Sequence, residues 1–169
     1  MINIERIIKT GIPDIAPVYG GVRGRTMSSR HQAYAWPAIK EAGVKTIIDL
    51  REMDKSDKLP YHCNYHGLEY FHYPIDNHTR TIAQMVEFFP LFCEQIDKGD
   101  FYIACAMGLH RTDISLCTYW VFYAAGKGLA PPPSVVIVRK MDIIPIRFCV
   151  CSMPSIIIRL RMTVRNQFL

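Results

Sequence analysis

Cys105-Ala106-Met107-Gly108-Leu109-His110-Arg111-Thr112 gathers a thiol, a glycine, a guanidinium and a hydroxyl into one short stretch. It follows an apolar run, Phe101-Tyr102-Ile103-Ala104, and opens a segment with helical spacing. The cysteine therefore falls where a strand hands over to a helix N-terminus. Unpaired amides and aligned peptide dipoles make that position an anion site before any side chain is considered. A thiol in such a field ionises more easily than a free one, and the nearby Arg111 cation adds to the effect. Arg111 also presents a planar fork of donors that matches two oxygens of a phosphate. Gly108 permits the positive φ needed to turn successive amides inward as a nest. The bland alternative is a structural cysteine beside an unrelated arginine, with its sulfur in hydrocarbon and far from the guanidinium.

Cys-x5-Arg alone is a common pattern. With Gly108 inside it, Thr112 directly after it and a strand-to-helix context, it resembles the phosphate-binding loop of the cysteine-dependent protein tyrosine and dual-specificity phosphatases, in particular the atypical dual-specificity type. The resemblance implies Cys105 as nucleophile and Ala106, Met107, Gly108, Leu109, His110 and Arg111 as the substrate-binding loop. It implies Thr112 as the hydrogen-bond donor that helps the sulfur leave, and neither metal nor cofactor. It extends upstream. Tyr19 followed by glycines, within residues 17 to 24, is similar to the strand that opens such domains, and Asp49-Leu50-Arg51 to the end of the strand beside the catalytic one. For Arg51 the readings are a strand end becoming polar at solvent or a direct ligand of the substrate, with a residue supporting the site from behind as the position between them.

Departure of an alkoxide or phenoxide from phosphorus is slow unless a proton arrives with it, and a positioned carboxylic acid contributes about 10²–10⁴-fold. Tyr73-Pro74-Ile75-Asp76 resembles the family's acid-bearing loop, which makes Asp76 the candidate general acid; an ordinary Asp-Asn turn is the alternative. The resemblance covers residues 17 to about 130. One departure lies next to the nucleophile: where the family has a histidine that braces the loop, this chain has Ala104. A low-activity enzyme or a phosphate- or phosphopeptide-binding pseudophosphatase therefore stays open. A rhodanese-like sulfurtransferase also displays a cysteine on an amide-lined loop, but has no use for Asp76 or for Arg111-Thr112. Met107, Leu109 and His110 lack the lysines of inositol-phosphate-cleaving relatives, so a phosphoprotein, phosphotyrosine first, is the expected substrate.

The elements that must position these residues read as an α/β fold, a single domain over 1–169 with a central, mostly parallel sheet flanked by helices. Residues 17 to 24 read as a strand breaking into a glycine-rich turn. Ser28 or Ser29 caps a helix to about Ala42 that stops at Gly43, and Val44 to Leu50 alternate as a strand. Residues 52 to 67 read as a loop. Tyr70 to Ile75 is a further strand, and Ile82 to Ile96 has helical periodicity with a kink or two short helices expected at Pro90. Ile114, Cys117, Val121 and Ala124 mark the helix behind the catalytic loop, ending near Gly126, and Cys93, Cys117 and Trp120 read as packing residues. Val135–Val138 and Ile143–Cys151 are strand-like by propensity, and a final helix is expected from Ile156 to Phe168.

Composition narrows the function classes. At 169 residues, half of them hydrophobic, the chain suits one substantial core. A net charge of +5 favours a phosphate or sulfate anion in the loop, yet the basic residues are scattered, which argues against nucleic acid. Six cysteines without the density of a stapled secreted domain point to reduced thiols in a cytoplasm. The uncharged run Phe148 to Ile158 is too short to span a bilayer. His62, Cys63, His66, His72 and His78 invite a zinc hypothesis, but Cys-x-x-His has no second pair to complete a site, so no metal is expected.

Overall fold

The computed structural model describes residues 1–27, 32–52, 58–76 and 85–132. Their chain order is α1 (Ile4–Ile8), β1 (Ala16–Val18), β2 (Gly21–Arg25), α2 (Gln32–Glu41), β3 (Thr46–Asp49), α3 (Leu59–Tyr65), β4 (Glu69–His72), α4 (Phe89–Lys98), β5 (Phe101–Cys105) and α5 (His110–Tyr119). A π-helical turn over Trp120–Ala124 and a 3-10 turn over Ala125–Lys127 follow. The sheet runs β1-β2-β5-β3-β4, antiparallel only between β1 and β2, as the expected mostly parallel architecture requires.

β3 and β5 are buried along their whole length, the mark of parallel strands covered on both faces. Alternation sorts their side chains. Phe101, Ile103, Cys105 and Ile48 join one core cluster with α4 and α5, including Phe92, Leu116 and Tyr119. Tyr102, Ala104 and Ile47 join a second with α1, α2 and α3, built around Trp36 and Ile39. β5 is the middle strand, so Cys105 emerges at the C-terminal edge of the sheet, where parallel α/β sheets bind ligands.

Three sequence expectations change. The strand breaking into a glycine turn is present as β1, but the turn is shorter than expected and a second strand follows it. Tyr19 and Gly20, at φ 46° and 77°, make a hairpin turn, and the chain re-enters the sheet as β2. Residues 59–65, expected as loop, form α3, a short helix with proline in its first turn that buries Leu59 and Cys63. With two buried positions it leaves no periodic trace in the sequence. Of the kink or two short helices expected at Pro90, the kink is absent: Pro90 stands in the first turn of α4, where its missing N–H costs nothing, and residues 77–84, where a preceding helix would lie, are outside the described residues. Ser28, Ser29, His78 and the strand-like and helical segments expected beyond Pro133 lie outside the described residues. Among the described residues no helix is long and apolar enough to cross a membrane.

Candidate active site

β5 delivers Cys105 and α5 begins at His110, so residues 106–109 form the turn between them. The turn wraps the end of β5. The Cys105 carbonyl accepts from the Gly108 amide at 3.1 Å, the Thr26 amide at 3.1 Å and the Thr26 hydroxyl at 3.0 Å. Gly108 has φ +70°, and a Cβ there would overlap the backbone of Gly24 and Arg25 in and around β2. Only glycine lets the loop lie this close to its neighbouring strand.

The sulfur is nearly sealed off, with Cys105 2% exposed. Burial pushes its thiol up. Hydrogen bonding from the Thr112 hydroxyl and from the Thr112 and Met107 amides, with the charge of Arg111, outweighs burial, and the net direction is down from the ordinary value of 9.0. The Thr112 hydroxyl is buried and has no partner of ordinary hydrogen-bond geometry among the described residues; the sulfur is the group it acts on. Ala106 and Met107 are exposed, Leu109 and His110 half-buried, and Gly108 and Arg111 buried.

Arg111 reaches the strand side of the site. Its Nη1 donates to the Ile75 carbonyl at 3.1 Å and stands 3.8 Å from a Glu52 carboxylate oxygen. Ile75 is placed in turn by its own amide, which donates to the Leu50 carbonyl at 3.3 Å as the chain beyond β4 continues along the end of β3. Asp76 is the next residue, half-buried. The structure thus brings Cys105, Arg111 and Thr112 together and attaches the segment carrying Asp76 to the same guanidinium.

Arg51 does not approach as a free cation. Its Nη2 and Nε bond the buried Asp49 carboxylate at 2.9 and 3.0 Å, Tyr70 Oη donates to the same carboxylate at 3.2 Å, and the Arg51 carbonyl contacts His72 Nε2 at 2.7 Å. His62 and His66 stack on Trp36 at centroid distances of 5.6 and 5.9 Å, and Cys63 is buried with its thiol pushed up to about 12 by burial and by Asp49. Among the described residues no three potential metal ligands converge.

Two residues at the loop carry no signal in the sequence. Arg23 of β2 is 4% exposed; its Nη2 donates to the Gly108 carbonyl at 2.8 Å and its Nη1 to Asp113 Oδ1 of α5. Asp113 is fully buried, and burial pushes its carboxyl up, with Arg23 opposing that shift. Arg23 lies 85 and 90 residues from these partners, beyond any local pattern.

No protein-family model matches the chain, and no curated protein does. Solved structures do. A mutant form of Tk-PTP superposes with a TM-score of 0.52 at 19% identity, covering 69% of this chain and 75% of that one. The active form of Tk-PTP gives a TM-score of 0.52 at 19% identity, over 70% and 77%. A candidate phosphatase of the DUF442 group from Shewanella putrefaciens CN-32 gives 0.59 at 16% identity and covers 98% of each chain. The fold is that of the cysteine-based phosphatases. Identities this low speak for architecture alone.

Proposed function

We propose that the chain, acting as one domain over 1–169, is a phosphoric monoester hydrolase of the protein tyrosine or dual-specificity phosphatase type. The observation that carries this reading is a nearly buried sulfur whose thiol is nonetheless held below its ordinary range, by the same amides, hydroxyl and guanidinium that a phosphate would use. In the first step the Cys105 thiolate attacks phosphorus in line, and the bond from phosphorus to the leaving oxygen breaks. Arg111 and the loop amides hold the equatorial oxygens, and Asp76 gives its proton to the leaving oxygen. In the second, water attacks the cysteinyl-phosphate, Asp76 takes its proton, and the sulfur departs as a thiolate hydrogen-bonded by Thr112, with inorganic phosphate released.

The loop presents methionine, leucine and histidine rather than lysines, and Glu52 stands beside Arg111, so the mouth disfavours a second cluster of negative charge. A phosphoprotein with phosphotyrosine is the preferred substrate on this ground, ahead of phosphoinositides. Ala104 favours a second reading, a phosphate- or phosphopeptide-binding protein with little turnover. Para-nitrophenyl phosphate, a phosphotyrosyl peptide and a phosphoinositide, assayed on the wild type and on Cys105→Ser, separate these. Turnover lost in the variant supports the nucleophile; turnover retained overturns it. Phosphopeptide binding without turnover in either protein favours the second reading, and sulfur transfer from thiosulfate would favour a sulfurtransferase.

A further inference from the structure

Arg23 bonds its two partners in an unequal way. A buried arginine facing a carboxylate ordinarily spends both arms of its fork on the two oxygens. Here one arm takes Asp113 Oδ1, Asp113 Oδ2 has no hydrogen-bond partner among the described residues, and the other arm takes the Gly108 carbonyl. Leaving a buried carboxylate oxygen unmatched costs stability, so the divided fork needs a reason in the loop.

The reason lies in the peptide plane. In a trans peptide the C=O and the following N–H point in opposite directions. Fixing the Gly108 carbonyl toward Arg23 therefore fixes the Leu109 N–H away from β2. The Cys105 carbonyl, held by Thr26 through both its amide and its hydroxyl, fixes the Ala106 N–H in the same manner. Gly108 is pressed on Gly24, so the loop has no room to rotate these planes toward β2.

We propose that Arg23 is a positioning residue, resting on the reading of residues 105–111 as an oxyanion cradle: it divides its guanidinium between Gly108 and Asp113 to lock the Leu109 amide outward and the start of α5 under the loop. Arg111 is the charge that acts on the sulfur; Arg23 and Asp113 lie at the loop backbone, Arg25 faces Cys105 in the β2–β5 register, Glu52 stands beside Arg111, Asp76 follows the Ile75 that Arg111 holds, and His110 opens α5. Arg25 stands 3.6 Å from Asp14 and Glu52 stands beside Arg111, which among the described residues leaves Arg23 as the cation joined to the loop backbone itself.

The test uses the thiol rather than turnover. Alkylation of Cys105 by iodoacetamide is followed against pH, with and without inorganic phosphate as protectant, in the wild type, Arg23→Lys, the charge-neutral double variant Arg23→Met/Asp113→Asn, and Asp97→Asn as a destabilised control remote from the loop. In the double variant, and less strongly in Arg23→Lys, the alkylation midpoint rises and the protecting phosphate concentration increases about ten- to a hundredfold, the scale on which misplaced groups lose their effect. Asp97→Asn leaves both at the wild-type values. If the double variant does not fold, Arg23→Lys decides, since it keeps the charge and loses only the divided fork. Unchanged midpoint and protection overturn the inference, as does an equal change in Asp97→Asn. An ordinary thiol in the wild type, unprotected by phosphate, overturns the cradle itself and the inference with it.

Discussion

Cys105 and Cys93 belong to the same apolar cluster and are almost equally buried, 2% and 4% exposed, yet their thiols are driven in opposite directions. Burial pushes Cys93 up to about 12, with Asp97 adding to it and only Lys127 opposing. Cys105 has the same burial against it and still moves down, because Thr112, the Met107 amide and Arg111 face it. Loss of water is common to both sites. What faces the sulfur, a carboxylate one turn along α4 or a ring of donors at the start of α5, sets the sign.

The comparison breaks most sharply at the nucleophile. Cys105→Ser is expected to lower kcat for para-nitrophenyl phosphate by on the order of a thousandfold or more, since no other group forms the covalent intermediate, while Cys93→Ala leaves kcat within about twofold. Comparable losses in both would erase the distinction. Next in size, Asp76→Asn is expected to reduce kcat about 10²–10⁴-fold for substrates with poor leaving groups, and much less for para-nitrophenyl phosphate, whose leaving group needs little protonation. A loss independent of the leaving group would remove Asp76 from the role of acid.

Stability against pH sharpens the contrast. Between 9 and about 12 the unfolded chain binds no proton at Cys93 while the folded one does, so this residue lowers stability as pH rises through that window. Cys105 has the reverse sign: its folded value is depressed, so its contribution is present above the unfolded value near 9 and is lost as pH falls through the folded value. Urea unfolding at pH 8 and pH 10.5 is expected to show a smaller alkaline decline in Cys93→Ala and a larger one in Cys105→Ala than in the wild type. Smallest is Asp97→Asn. Asp97 accepts from Tyr119 and Tyr123 at 2.6 Å each and from Lys127 at 2.8 Å, so its loss is expected to lower Tm by roughly a few degrees, read by calorimetry, without moving kcat.

How much of this was legible in the sequence depended on distance along the chain. Cys105, Gly108, Arg111 and Thr112 are near neighbours, so their spacing placed them together at one strand-to-helix junction. β3, β4 and β5 were legible because their β-branched and aromatic runs are bounded by glycine and proline. Arg23 was illegible: a lone arginine between glycines reads as a turn, and only the parallel register Arg23↔Ile103 and Gly24↔Ala104 brings it under a loop far downstream. Arg51 was legible as an arginine at a strand end but not in its partner, since pairing with Asp49 two residues earlier has no pattern of its own. α3 escaped because a helix that buries two residues has no period to detect.

The backbone contact of Gly108 on Gly24 means that the pocket's shape is borrowed from a strand the chain completes long before it reaches the nucleophile. A fragment starting at residue 32 would possess every group the reaction consumes or regenerates, and still have no wall on which to mould its cradle. Supplying residues 1–27 as a separate peptide is therefore the natural way to ask whether such a fragment can be brought back to life.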